Sequence, residues 1–357
     1  MTNRLQMDRS SRPVATWLLV GIFMIIIQVL LGGITRLTGS GLSITEWKPI
    51  MGALPPMHQQ DWNIAFEKYK QIAQYKYLNP HFTLEDFKFI FFWEWLHRLW
   101  ARLIGVVFII PFTVFIIQKR IKKEMIRPMI ILFLLGALQG LVGWIMVQSG
   151  LEDSELIYVS HYKLAIHFIL ALGVLCYALW FALQLLIKPQ QLSYKQSLRN
   201  FTLWIMGLLV VQLIYGAFMA GLKTATAAPT WPDINGSWLP ENTSAFGNRN
   251  FNGLSVLTAH PLVIHFIHRN LAYIIIILLS IWTFSAYKSG GTELFRKARI
   301  LPLAIALFQV VLGILTVLFS ADKYSFLWLA VAHQFVAMIL LLSLLLMIYI
   351  IRGAKSV

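Results

Sequence analysis

Apolar positions in this chain gather into eight long runs separated by polar segments. They extend from Val14 to Thr35, Lys88 to Ile117, Pro128 to Gln148, Leu164 to Ile187, Phe201 to Leu222, His265 to Tyr287, Ile300 to Ser320 and Phe326 to Ile351. Each is long enough to cross a hydrocarbon core of about 30 Å as a helix of about 20 residues. Backbone in lipid must satisfy its own hydrogen bonds, and the runs lack the alternation of barrel strands, so each is read as a helix. The expected fold is therefore all-α and polytopic, with eight transmembrane helices. A composition that is 58% hydrophobic and 13% charged agrees.

Four polar residues stand out against that apolar background. His97, His167, His268 and His333 each sit near the start of a run, and all four runs start on the same side of the membrane. A neutral imidazole is a transition-metal ligand and a poor fit to hydrocarbon. At 1.5 Å rise per residue the four are expected about 10 Å beneath one face. His97 would then be level with His167, and His268 with His333. Two imidazoles on facing helices can hold a flat macrocycle between them, which points to haem iron.

An internal repeat organises these positions. Gln28 and Gly32, Gln139 and Gly143, Gln212 and Gly216, and Gln309 and Gly313 place a glutamine one turn before a glycine in every odd-numbered run, while the histidines occupy the even-numbered ones. The series Leu96-His97-Arg98-Leu99 is echoed by Ile267-His268-Arg269-Asn270. Equivalent positions are separated by roughly 166 to 184 residues, so one half maps on the other. Four helices per half give both halves the same orientation. Two four-helix bundles are expected, residues 1–187 and 188–357, related by a pseudo-twofold along the membrane normal. The glycines would let a ring or another backbone approach; simple small-residue packing is their plainer reading.

Charge fixes orientation rather than partner. The formal net charge of +15 would suggest nucleic acid in a soluble protein, but 17 Lys and Arg fall in the termini and loops of one side against 9 on the other. The positive-inside rule then puts both termini in the cytoplasm, the histidines toward the outer face, and nucleic acid out of consideration. The first run is preceded by a short polar segment without a small-residue cleavage site, which predicts an uncleaved span in a bacterial inner membrane. Cys176, the single cysteine, lies inside the fourth run and cannot close an intramolecular disulfide.

Arg98 and Arg269 each follow a histidine and are candidates to neutralise haem propionates, with snorkelling to headgroups as the alternative. Glu94, three residues before His97, shares its face and has no counterpart in the second half, where His265 stands. A carboxylate there could move a proton, orient water or stabilise developing positive charge, or simply pair with Arg98 or Lys88. His58 and His81 fall in the polar segment between the first two runs, where a solvated surface histidine is the default, whereas His161 precedes the fourth run at the interface and His260, followed by Pro261, lies in the loop before the sixth.

The stretch Gly32-Gly33-Ile34-Thr35-Arg36-Leu37-Thr38-Gly39-Ser40-Gly41-Leu42-Ser43, then Glu46-Trp47-Lys48-Pro49-Ile50 and Gly52-Ala53-Leu54-Pro55-Pro56, resembles the first outer loop of the haem A synthase family. So do Glu94-Trp95-Leu96-His97-Arg98, Trp231-Pro232-Asp233-Ile234-Asn235-Gly236, Phe266-Ile267-His268-Arg269 and Ala332-His333-Gln334. The resemblance implies a membrane oxidoreductase that oxidises the C8 methyl of haem O to the formyl group of haem A for cytochrome oxidase, through successive hydroxylations and loss of water from a gem-diol. It also implies His268 and His333 as axial ligands of a haem b cofactor, with His97, His167 and Glu94 forming the catalytic site around the substrate haem. The implied partners are haem O, membrane lipid, a haem O synthase, an electron-transfer partner and further copies of the chain. The outer loops have no cysteines, as in the cysteine-free branch of the family, which excludes a cysteine relay. Bis-histidine ligation leaves no vacant iron site, which favours electron removal through the ring and attack of water, with Glu94 stabilising the cation or orienting that water. A di-haem electron-transfer cytochrome is the rival reading, though its haems would be expected at two depths.

Overall fold

The structure, a computed structural model, describes residues 12–46, 51–151 and 157–353. Trp47-Lys48-Pro49-Ile50 of the loop motif, and the terminal Arg4, Arg9 and Lys355 counted toward orientation, lie outside them. Eight helices among the described residues are long and apolar enough to cross a membrane. They are α1 (Arg12–Leu37), α2 (Leu84–Ile117), α3 (Lys123–Leu151), α4 (His161–Leu186), α5 (Gln196–Leu222), α6 (Pro261–Lys288), α7 (Leu301–Leu318) and α8 (Lys323–Ile350). A short helix, Glu293–Ala298, opens the seventh span. The one sheet among the described residues is the hairpin of β1 (Ala245–Phe246) with β2 (Arg249–Asn250).

The chain is a multi-pass membrane protein. Large apolar side chains stand out from its helices, among them Phe23 at 60% exposure, Ile117 at 74%, Trp204 at 78% and Phe284 at 62%. In water such surfaces would be an aggregation hazard, whereas in hydrocarbon they cost nothing.

Several helices begin earlier than the apolar pattern predicts, because capping residues in the polar segments start them. Thr83 and Asp86 form a reciprocal capping box at α2, the His260 ring accepts from Val263 N–H with Pro261 at the first helical position of α6, and Asp322 accepts from Ser325 N–H at α8. Hydropathy marks the lipid boundary and caps mark the helix boundary. His97 consequently lies much further from the start of its helix than His167 does from the start of its own. A common depth cannot be counted from helix starts.

Two compact units divide the described chain. One covers Thr16–Ala178, and the other begins at Leu179 within α4 and takes in everything after it together with the described residues before Thr16. In the first unit, Trp17 Nε1 donates to Val107 O at 2.7 Å and Trp100 Nε1 to Met24 O at 2.9 Å, fixing α1 on α2 from both sides. The loop between them carries a helix, Gln59–Tyr69, whose Phe66 and Tyr69 pack with Phe87, Ile90 and Phe91 of α2 in a buried aromatic cluster. Burial pushes the Tyr69 hydroxyl up to about 12, although Asn79 donates to it. In the second unit the fully buried Trp282 of α6 donates to Thr202 Oγ1 of α5 at 2.9 Å.

Candidate functional site

The glutamine–glycine repeat becomes a contact. Each of the four histidines lays its imidazole against the glycine of the helix before it, α2 on α1, α4 on α3, α6 on α5 and α8 on α7. A methyl group built at Gly32 would stand 3.0 Å from His97 Cε1, at Gly143 2.7 Å from His167 Cε1, at Gly216 3.2 Å from His268 Cε1 and at Gly313 3.0 Å from His333 Cε1. The absence of a side chain is what lets each ring lie this close, most stringently at Gly143. One turn earlier, the glutamine amide reaches the same imidazole. Gln28 Nε2 lies 3.2 Å from His97 Nε2, Gln139 Nε2 lies 3.1 Å from His167 Nδ1, and Gln212 and Gln309 Nε2 lie 3.4 and 3.2 Å from His268 and His333 Nε2.

The structure also brings the histidines together in pairs. The rings of His268 and His333 meet edge-on, with centroids 6.4 Å apart and planes at 67°. Two metal–nitrogen bonds of about 2 Å, with about 1.1 Å from nitrogen to ring centre at each end, add to about 6.2 Å. The spacing therefore suits one iron held axially between the two rings. His97 and His167 lie within electrostatic range of each other. Among the described residues no cluster of three or more His, Cys, Asp or Glu is placed to cage a bare metal ion. Paired imidazoles suit a metal whose other ligands come from a macrocycle. The residues present thus fit haem, and the buried His268 Nδ1 and His333 Nδ1 atoms without a hydrogen-bond partner belong to the same pair.

One turn toward the helix starts, the units differ. Glu94, 2% exposed, accepts from Ser43 Oγ at 2.7 Å, Ile44 N–H at 2.8 Å and Arg98 Nη2 at 2.6 Å. The ion pair with Arg98 is formed; Lys88 pairs instead with Glu85 at 2.7 Å. Arg98 further donates to Ile44 O and Glu46 O, and Arg269 to Ala228 O and Asp233 O. Both arginines therefore clamp the loop that follows the preceding odd-numbered helix, a role that residue spacing could not reveal because the acceptors are main-chain oxygens. Arg269 Nε remains buried without a partner.

His265, in the place of Glu94, is fully buried, with the Ala225 main chain beside its ring. His260, in the loop before α6, is fully buried, caps α6, approaches Ala245 O at 3.3 Å and packs edge-on against Phe246 and Phe251. Its proline neighbour, Pro261, was the available signal for a cap. His58 caps the helix Gln59–Tyr69, and His81 and His161 pack on Phe82 and Tyr162. In the motif segment around Asp233, the Asp233 carboxylate accepts from Gly236 N–H at 3.0 Å, which holds its carboxyl below the usual range, and Asn235 and Gly236 take positive φ to make the turn.

Eight apolar spans carrying paired, glycine-backed histidines define a class of polytopic membrane protein equipped for haem. Residues 15–345 match the COX15-CtaA family, described as cytochrome oxidase assembly protein, and the chain belongs to it. It is 39% identical over 336 residues to a protein of Flavobacterium psychrophilum named heme A synthase, covering 93% of this chain and 96% of that one. Proteins of the same name from Rhodospirillum centenum and Brucella suis are 40% identical over 348 residues and 38% identical over 336. These alignments cover 97% and 94% of this chain and 90% of each relative.

Proposed function

We propose that this chain is an enzyme that oxidises the C8 methyl of haem O to the formyl group of haem A. The observation that carries the reading is the repeated Gln–Gly–His contact, closed into an iron-sized gap at His268 and His333, in a chain of the COX15-CtaA family. Within the expected bundles, residues 1–187 take the substrate and residues 188–357 the cofactor. His268 and His333 hold a resident haem b, which supplies one-electron redox chemistry. His97 and His167 bracket substrate haem O, with both pairs toward the outer face and both termini in the cytoplasm.

Glu94 distinguishes the substrate unit. Three donors fix its carboxylate, so it presents negative charge in a fixed place on the face of α2 that carries His97. Fixed charge in a site shielded from water stabilises positive charge developing on the substrate ring edge, or orients the water that attacks it, without reorganisation during the reaction. The Gln28 and Gln139 amides and their glycines fix the substrate-site imidazoles. Arg98 and Arg269 hold the loops over the sites, and the unpartnered Arg269 Nε is a remaining donor for a propionate.

Replacement of Glu94 by Gln, followed by extraction of haem from membranes supplied with haem O, tests the assignment. Haem O or a hydroxylated intermediate should accumulate at the expense of haem A. Undiminished haem A would remove Glu94 from the chemistry.

A further inference from the structure

The two arginine clamps put corresponding loops of the units in register. Arg98 Nη2 donates to Ile44 O at 3.1 Å, and Arg269 Nη2 to Ala228 O at 2.9 Å. Ile44 stands twelve residues after Gly32, and Ala228 twelve residues after Gly216. The residue before each acceptor is therefore equivalent in the repeat: Ser43 in the first unit, Ala227 in the second. Ser43 meets Glu94, and the counterpart of Glu94 is His265. A hydroxyl and a carboxylate thus stand together in one unit and are replaced together in the other.

Both members of the pair are 2% exposed. The Ser43 hydroxyl has one hydrogen and two acceptors in reach, Glu94 Oε2 at 2.7 Å and Ile90 O at 3.4 Å. The shorter contact, to a carboxylate oxygen, is much the stronger, so the hydrogen goes to Glu94. A carboxylate has about two lone-pair sites on each oxygen. Ser43 Oγ and Ile44 N–H fill those of Oε2, whereas Oε1 takes only Arg98 Nη2, at 2.6 Å. Among the described residues this leaves one acceptor position, and it is on Oε1. A carboxyl group turns about a broad terminal torsion unless its oxygens are pinned. Pinning Oε2 from the loop fixes where the open position on Oε1 points.

Resting on the assignment of Glu94 to the oxidation of haem O, the geometry points to Ser43 as a positioning residue for that reaction. It acts through Glu94, holding Oε2 against the loop so that Oε1 is the oxygen that meets the attacking water or the positive charge growing on the ring edge. The arginine clamp, common to both units, secures the loop. The serine hydroxyl, present in one, aims the carboxylate.

The test compares Ser43→Ala, Glu94→Gln and the double variant as full-length protein in membranes supplied with haem O. Rates of haem A formation are expressed per resident haem, so that protein that has lost its fold does not count. Ser43→Ala deletes one oxygen and should lower kcat about 10- to 100-fold, the scale of a misplaced reacting group. KM for haem O and the low-spin signal of the resident haem should be unchanged, because an interaction needed only in the transition state falls on kcat. In the Glu94→Gln background the loss of the hydroxyl should cost nothing further, since no carboxylate is left to aim. Unchanged kcat in Ser43→Ala, a raised KM with kcat preserved, or a double variant slower than Glu94→Gln by the full Ser43→Ala factor would overturn the role of Ser43 and leave Glu94 in place. Haem A formed at the wild-type rate by Glu94→Gln would overturn the assignment beneath it.

Discussion

Glu94 and His265 occupy the same place in the repeat, three residues before a haem-type histidine and four before an arginine that clamps a loop, yet their surroundings are opposite. Glu94 is met by three donors, whereas His265 is fully buried beside the Ala225 main chain. The loop supplies part of the difference, since Ser43 in the first unit provides a hydroxyl to the carboxylate. A duplicated scaffold has thus kept its ring cradle in four copies and changed the polar group beside it. In the proposed function, what every copy retains serves haem binding, and what differs is where the substrate unit acquires its chemistry.

Stability should separate the two positions most sharply. Glu94→Ala leaves Arg98, 15% exposed in its side chain, without its carboxylate, and Ser43 and the Ile44 amide without an acceptor. Removing one member of a buried pair costs about 3 kcal/mol or more. His265→Leu removes an imidazole that stands beside the Ala225 main chain and has no salt-bridge partner, so the loss should be smaller, about 1 kcal/mol. Unfolding of both variants by denaturant in detergent checks the contrast, and a larger loss at His265 than at Glu94 would reverse it.

The cradles themselves should rank by clearance. Gly143→Ala drives a methyl to 2.7 Å from His167 Cε1, and Gly216→Ala to 3.2 Å from His268 Cε1. The first forces the ring out of place, at a cost of about 1–3 kcal/mol for overpacking. The second needs a shift of a few tenths of an ångström, largely offset by about 1 kcal/mol gained when alanine replaces a helical glycine. Unfolding midpoints of the two variants should differ in that order.

The smallest effect lies in the loops. Asp233 has its carboxyl lowered, first by the Gly236 N–H. A lowered carboxylate contributes in full above its ordinary value of 3.8 and loses that contribution as pH falls through the lowered one. Proteolytic nicking of the Trp231–Gly236 turn should therefore rise only in strongly acid solution, whereas Asp233→Asn should abolish that pH dependence.

How far the sequence could be read depended on the range of the interaction concerned. The eight spans were legible because a membrane demands about 20 apolar residues at a time, and the four histidines because they interrupt such runs. The glutamine one turn before glycine was visible as a repeat, but its contact with the imidazole was not, since it joins residues on different helices. Helix starts were misjudged where Thr83, His260 and Asp322 cap them beyond the apolar stretch. The loop acceptors of Arg98 and Arg269 are main-chain carbonyls, which no side-chain pattern announces, and the burial of His260 depends on the hairpin containing Phe246, far from it in hydropathy.

The most direct measurement is low-temperature electron paramagnetic resonance of the purified protein with each histidine pair broken in turn. A low-spin ferric signal of two axial imidazoles should persist in His97→Ala and vanish in His333→Ala. Loss of the signal in His97→Ala with survival in His333→Ala would contradict the assignment of resident haem to the second unit.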